Sequence, residues 1–329
     1  MRTMFIFSNG EIHRKDNTVV FDDGQTKKYL PIHEVDEVMV FGEVTLNKRF
    51  LEFCTQQEIV IHFFNYYGYY CGSYYPREHL ASGHLLLKQV EHYLDEDKRM
   101  SLASRFVDAA VRNIRQVLKY YENRGKDVSE AVEFTTQSLL DVYGGPSIET
   151  LMALEANVRS RYYGVFDSII TNPEFRFEKR TRRPPRNYTN TLISFGNSIL
   201  YTVVLSEIYK THLDPRIGYL HATNFRRFTL NLDVAEVFKP VIIDRAIFSV
   251  VNERRVQESD FTVGSNGVFL SEQGKKTFVS EIFGKLETTI RHRGLGRAVS
   301  YRRLIRLELY KVEKHLLGEQ VYQPFVASW

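Results

Sequence analysis

His221, Asp233 and Glu236 are the side chains of this chain whose types and spacing could do chemistry together. They stand in the stretch from Gly218 to Pro240, where an imidazole precedes two carboxylates. Three residues separate Asp233 from Glu236, which at a helix start sets both on one face. Such a donor set suits Mn²⁺, or Mg²⁺ with retained waters, better than a thiolate-seeking metal. A further carboxylate is wanted from elsewhere, and Glu155, in the run Leu154 to Gly164, offers one. Each residue also has an ordinary explanation. Glu155 lies four residues ahead of Arg159, the spacing of a helix ion pair worth a few tenths of a kcal/mol. Asp233 could balance a helix dipole, and His221 could be a satisfied structural histidine. Their combination points to a metal corner; no single member does.

Several elements must position these groups. Gly144-Gly145-Pro146 stops one helix and Ser147 caps the next, which carries Glu155. Leu151, Leu154, Val158, Val165 and Ile169 trace its apolar stripe, while Glu155, Arg159 and Tyr162 share a neighbouring face. Asn190 to Lys210 reads as a largely apolar core helix, with Asn190 as either an N-cap or a donor to the site. Pro240 removes a helical hydrogen bond to the Glu236 carbonyl and predicts a kink. A buried helix continues from Val241 to Arg255, with Asp244 as a structural salt-bridge partner. Further helices are expected at Leu85 to Tyr93, Arg99 to Gly125, Ser129 to Tyr143, Ser271 to Arg291 and Ser300 to Leu317.

Residues 1–76 instead show short period-two runs, with hairpin turns expected at Asn9-Gly10 and Asp22-Asp23-Gly24 and one helix near Leu46 to Gln57. The tyrosine-rich run Tyr66 to Tyr75 reads as an aromatic sheet face packed on a domain or subunit partner, with stacking on nucleic acid as the alternative. The organisation is therefore α+β: a β-rich N-terminal domain over 1–76, a linker over 77–84 and a larger all-α domain over 85–329.

At 43% hydrophobic and 26% charged, with a net charge of +4, the 329 residues have the balance of a globular protein, and charge matters only where it clusters. Arg176, Lys179, Arg180, Arg182, Arg183 and Arg186 gather in one loop ending in Pro184-Pro185, suited to phosphate contacts or, alternatively, simply solvated or disordered. Arg291, Arg293, Arg297, Arg302, Arg303, Arg306, Lys311 and Lys314 recur downstream, offset there by Glu308 and Glu313. Two basic segments in one helical domain favour a nucleic-acid backbone as partner. Cys54 and Cys71 lack metal or redox spacing and are expected to be buried free thiols. No run reaches the ~20 apolar residues that cross a bilayer and no signal peptide is visible, so no membrane and a cytoplasmic location are expected. Phosphate-loop, zinc-protease and dinucleotide fingerprints are absent from the sequence.

The chain resembles, over essentially its whole length, the CRISPR-associated integrase and endonuclease of the adaptation module, the first Cas protein (Cas-one). The match runs through Ile6 to Glu11, Phe41 to Val44, Phe63 to Tyr70, Leu154 to Gly164, Leu213 to His221 and Leu232 to Pro240. Its N-terminal wording is similar to the branch accompanying type I-B systems. The resemblance implies a β domain, used for dimerisation, joined to a helical catalytic domain. It implies homodimers flanking the second Cas protein (Cas-two), and DNA as substrate, both spacer precursor and CRISPR repeat. By the same resemblance Glu155, His221 and Glu236 are the Mg²⁺ or Mn²⁺ ligands and catalytic residues. Asp233 and Asn190 then support the site, and Arg159, Arg161, Tyr162, Arg180, Arg182, Arg183, Arg186 and Lys239 are the expected DNA contacts. Some members carry Asp where this chain has Glu236, and many carry an aromatic where it has Asn197. The implied chemistry is attack of a DNA 3′-hydroxyl on a repeat-boundary phosphodiester, or hydrolysis when water replaces that hydroxyl. A noncatalytic DNA-binding scaffold is the competing expectation.

Overall fold

A computed structural model describes residues 2–31, 34–77, 80, 82–223 and 228–328. Glu78, His79 and Ala81 of the expected linker, and Asn224 to Arg227 within the stretch from Gly218 to Pro240, lie outside them. The chain divides into two compact units, Met1–His79 and Leu80–Trp329, and is 53% helix and 17% strand.

In the first unit the strands are β1 (Arg2–Ile6), β2 (Gly10–Lys15), β3 (Thr18–Asp22), β4 (Lys27–Pro31), β5 (Val35–Val40) and β6 (Val44–Leu46). Helix α1 (Lys48–Gln56), β7 (Val60–Phe64) and β8 (Tyr70–Tyr74) follow. Two four-stranded sheets form, in the orders β1-β5-β7-β8 and β4-β3-β2-β6. β5 lies between two parallel neighbours, β1 and β7, and every residue along its Val-Asp-Glu-Val-Met-Val run except Asp36 is buried, Glu37 included. Ile6, Ile12, Val38, Phe50, Phe53 and Ile61 bring both sheets and α1 into one core. Asn9-Gly10 does not make the expected hairpin, since β1 and β2 belong to different sheets. Asn9 Oδ1 instead accepts from Glu43 N–H, and a Cβ on Gly10 would meet Asp22 O at 2.4 Å, so this glycine serves a crossing between sheets. Asp22 to Gly24 does turn a hairpin, between β3 and β4. Cys54 is buried, which pushes its thiol up to about 12, whereas Cys71 is exposed and corrects the expectation of two buried thiols.

The second unit begins with α2 (Gly83–Leu94), α3 (Glu96–Glu122), α4 (Ser129–Asp141) and α5 (Ile148–Gly164). The short α6 (Phe166–Ile169), the long α7 (Tyr188–Ile208), α8 (Leu230–Lys239) and α9 (Arg245–Asn252) come next. The hairpin β9 (Phe261–Gly264) and β10 (Gly267–Leu270) precedes α10 (Glu272–Glu287), and the hairpin β11 (Thr289–His292) and β12 (Arg297–Ser300) precedes α11 (Tyr301–Leu316). These two hairpins depart from the all-α expectation. One helix among the described residues, α7, is long and apolar enough to cross a membrane, contrary to the expectation of none, and 89% of its apolar window is buried inside the unit. It is the core helix around which α8, α10 and α11 pack.

Between α8 and α9 the chain makes a π turn over Pro240–Asp244, not a simple kink. Pro240 has no N–H to offer the Glu236 carbonyl, and the widened turn absorbs one extra residue. Eight residues of regular α-helix would rotate Asp244 by about 80° from Glu236, whereas seven effective residues leave about 20°. The π turn thereby sets the two carboxylates on one face. Asn113 of α3 accepts the job of satisfying the disturbed backbone: its Nδ2 donates to Val237 O at 2.8 Å and to Phe325 O at 3.1 Å.

Candidate metal centre and nucleic-acid surface

Ser147 Oγ accepts from Thr150 N–H and starts α5, so that Glu155, Arg159 and Tyr162 fall at successive turns facing α8 and the π turn. Arg159 lies between the two glutamates. Its Nε donates to Glu155 Oε1 at 2.8 Å and one terminal nitrogen donates to Glu236 Oε2 at 2.5 Å. Lys239, one turn beyond Glu236, binds the other oxygen, Oε1. The ordinary helix ion pair expected of Glu155 is therefore present, but it extends into a buried network with Glu236. Burial by itself would raise the Glu236 pKa; the charges of Arg159 and Lys239 overcome that and hold it at about 2.

His221 and Asp233 form a second pair. Asp233, wholly buried, accepts the backbone N–H groups of Tyr219 at 2.5 Å, Leu220 at 3.0 Å and His221 at 3.0 Å, and the His221 Nδ1 at 2.7 Å. An ionised carboxylate only accepts, so Nδ1 carries the proton and Nε2 is the nitrogen left for a ligand. Burial disfavours the imidazolium, yet the bond to Asp233 raises the His221 pKa on balance. Gly218 makes the approach possible: a Cβ there would meet Thr229 C at 2.7 Å and Asp233 Oδ2 at 2.8 Å. Asp233 is thus the anchor of the loop that presents His221.

The donor chemistry fits a hard divalent cation, with an oriented imidazole and two carboxylates whose charge is already compensated by cations. In the observed arrangement, however, no three His, Cys, Asp or Glu side chains among the described residues are gathered closely enough to hold one. The guanidinium of Arg159 and the ammonium of Lys239 take the oxygens a metal would need. A divalent ion ~4 Å from that guanidinium would be opposed by roughly 8 kcal/mol at an effective dielectric of about 20, so binding requires Arg159 to move.

Several expected DNA contacts are corrected by burial. Tyr162 is fully buried, edge-on to Phe166, and offers no face to a base. Arg159 and Lys239 are buried and spent on glutamates. Arg180 is half-buried, donating to Asn190 Oδ1 at 2.9 Å and Ser194 Oγ at 3.0 Å. Arg161 is exposed and reaches Glu130 at 3.4 Å; Arg182, Arg183 and Arg186 are exposed. Asn190 is neither the N-cap, which is Asn187, nor a donor to the carboxylates: its amide holds Lys179 O and Thr181 N–H, tying the basic loop to α7.

The loop is braced, not loose. Val268 N–H donates to Pro185 O at 3.0 Å, and Gly267, at φ +116°, lies so close that a Cβ would meet Pro184 Cβ at 2.6 Å. The β9–β10 hairpin, whose turn at Gly264-Ser265-Asn266-Gly267 is legible in the sequence but whose strands are not, thus supports the arginines. Downstream, part of the basic segment is structural. Buried Glu207 of α7 takes Arg302 at 3.0 Å and Arg306 at 2.6 Å, a counterion that local charge counting could not see. Asp244 also departs from expectation. It is fully buried, neither carboxylate oxygen has a partner within strict hydrogen-bond geometry although the Tyr162 hydroxyl lies close enough to lower its pKa, and burial pushes that pKa up to about 7.

Comparison with known proteins places this geometry. A family model described as CRISPR associated protein Cas1 matches residues 4–283. A protein of Thermodesulfovibrio yellowstonii named CRISPR-associated endonuclease Cas1 2 is 56% identical over 100% of this chain and 99% of its own. CRISPR-associated endonuclease Cas1 of Thermotoga maritima is 49% identical over 98% and 99%. A solved Cas1 structure from Thermotoga maritima superposes with a TM-score of 0.88 at 48% identity, covering 98% of this chain and 99% of that one. A casposase bound to integration product shares the fold, with a TM-score of 0.88 at 18% identity over 97% and 92%. The chain belongs to the Cas1 family of CRISPR-associated proteins.

Proposed function

We propose that this chain is a metal-dependent DNA integrase and endonuclease, joining 3′-hydroxyl ends of spacer DNA to a CRISPR repeat by transesterification. The observation that carries the reading is the His221–Asp233 pair presented beside the Glu155–Arg159–Glu236 network. Glu155, Glu236 and Nε2 of His221 would hold Mg²⁺ or Mn²⁺. When bound, such an ion supplies Lewis-acid stabilisation of charge on the phosphoryl oxygens. Asp233 fixes the imidazole tautomer and the loop that carries it. The exposed Arg182, Arg183 and Arg186, on a braced loop, suit the strand's phosphates. One phosphorus–oxygen bond forms as one breaks, so the step needs no oxidant and no external energy source; with water as nucleophile the same site cuts.

Relatives named endonucleases support the activity, and the casposase bound to integration product supports joining as well as cutting. Solved complexes described as Cas6-RT-Cas1–Cas2 contain a domain of this fold and support a Cas2 partner. A homodimer formed through the N-terminal unit, a cytoplasmic location and a place in the type I-B branch belong to the same reading.

The test is joining of a labelled duplex with free 3′-hydroxyls to a repeat-bearing supercoiled plasmid, with Mn²⁺ or EDTA, for wild type and His221→Ala. Label should enter the plasmid only with metal and intact His221. If neither protein joins DNA with Cas2 supplied, yet both bind it, the noncatalytic scaffold reading replaces this one.

A further inference from the structure

Asp244 is the buried acid that the mechanism above does not use. Its carboxylate is completely enclosed, and no charged group donates to either oxygen; the neutral Tyr162 hydroxyl is the group near enough to act on it as a hydrogen-bond donor. Leaving such a group unpaired is costly, so its retention calls for an explanation. The groups that surround it electrostatically are Arg159, Lys239, Tyr162 and Glu236. Among these, Arg159 has a second unsatisfied feature: its remaining terminal nitrogen, Nη1, is buried and without a partner. The Tyr162 hydroxyl is buried beside Asp244, close enough to lower the acid's pKa though outside strict hydrogen-bond geometry. The Asp244 carboxylate and the Arg159 Nη1 therefore sit near one another with bonding capacity in reserve, while the rest of the same guanidinium is engaged by Glu155 and Glu236. The π turn is what brings Asp244 to this face.

Resting on the metal-centre reading, we propose that Asp244 is a positioning residue: the alternative seat for the Arg159 guanidinium, which leaves Glu155 and Glu236 for Asp244 when a divalent cation takes the glutamates. The observed arrangement is then the metal-free state of a two-position side chain. In it Arg159 stands in for the cation between the glutamates. In the other state the guanidinium pairs with Asp244, whose carboxylate gains a charged partner. Without that seat, metal binding would strand a buried cation next to a divalent ion. The device makes metal affinity depend on a residue that never touches the metal, as outer partners of metal ligands do elsewhere.

The experiment is calorimetric titration of the full-length chain with Mn²⁺, without DNA, for wild type, Asp244→Asn, Asp244→Glu and Glu236→Gln. Expected is at least a tenfold loss of affinity in Asp244→Asn, partial recovery in Asp244→Glu, and loss of the site in Glu236→Gln. The metal-free Asp244→Asn protein should unfold no earlier than wild type, which a purely structural acid would not allow. Wild-type affinity in Asp244→Asn beside a lost site in Glu236→Gln overturns the inference and leaves the metal reading standing. Unchanged affinity in Glu236→Gln removes the metal reading and the inference with it. Should Asp244→Asn fail to fold, wild-type protein with isotope-labelled arginine gives the answer. The Arg159 side-chain signal must move on adding Mg²⁺; a signal that stays put while the ion binds overturns the proposal.

Discussion

Glu236, in the last full turn of α8, and Asp244, at the end of the π turn that follows, are buried acids in one continuous stretch of helix, yet their surroundings are opposite. Glu236 receives both Arg159 and Lys239 and is held at about 2. Asp244 receives no cation, with the neutral Tyr162 hydroxyl near enough to act as a donor, and burial pushes it up to about 7. The same depth of burial thus yields a charged acid in one region and one that holds its proton far more tightly in the other, and the deciding factor is where the cations point. The comparison teaches that this pocket holds more anionic capacity than its cations satisfy, and that Arg159 decides which acid is paired.

The largest expected effect comes from removing that cation. Arg159→Met should destabilise the metal-free chain by about 3–5 kcal/mol, because it leaves the Glu236 carboxylate buried with one partner fewer. Denaturant titration with and without Mn²⁺ measures it. The deficit should shrink when metal is added, since an ion can replace the missing charge. An equal deficit in both conditions would mean that Arg159 is merely structural.

A smaller effect is the pH dependence of the metal-free chain. The Asp244 pKa is raised on folding from 3.8 to about 7, so the folded state holds the proton more tightly than the unfolded one. The contribution is therefore fully present below pH 3.8 and is lost as pH rises towards 7, at a slope approaching 1.4 kcal/mol per pH unit, the limit of about one proton. Glu236 has the opposite sign: its contribution is present above its ordinary 4.5 and is lost as pH falls towards 2. Between pH 4.5 and 7 the raised His221 and Glu313 and the lowered His315 also contribute, so the Asp244 share is the difference between the urea midpoints of wild type and Asp244→Asn across that window. Asp244→Asn should flatten the fall in that window; an unchanged slope would show that the two acids do not differ as described.

The contrast between these acids also marks where sequence reasoning ends. Ser147 as a cap, the α5 face carrying Glu155, Arg159 and Tyr162, and the Asp233–Glu236 spacing on α8 are local features, and local features are legible from residue type and period. What Arg159 touches is not local, because Glu236 lies 77 residues away. The Glu207 counterion of Arg302 and Arg306 is missed for the same reason. Pro240 did signal a disturbance of the helix, but whether a proline yields a kink or a widened turn depends on packing against α3 and α7. The hairpins of four-residue strands, β9–β10 and β11–β12, are too short for a period to declare itself within neighbouring helical patterns. Asn9-Gly10 has turn chemistry, yet the chain uses it to change sheets.

The smallest effect separates cations that have buried partners from those that do not. Arg183 is exposed on the loop braced by β9–β10, and Arg306 is committed to Glu207. Arg183→Ala should leave the unfolding midpoint unchanged within about 0.5 kcal/mol. It should weaken binding to any duplex alike and lower the slope of log affinity against log salt by about 0.9. Arg306→Ala should do the reverse, costing stability through the half-satisfied Glu207 carboxylate while changing the salt slope little. Binding isotherms at three salt concentrations, paired with urea melts of both variants, read the two quantities separately. If Arg306→Ala lowers the salt slope as much as Arg183→Ala, a guanidinium can serve a buried glutamate and a phosphate at once, and burial of the partner no longer predicts which cations reach DNA.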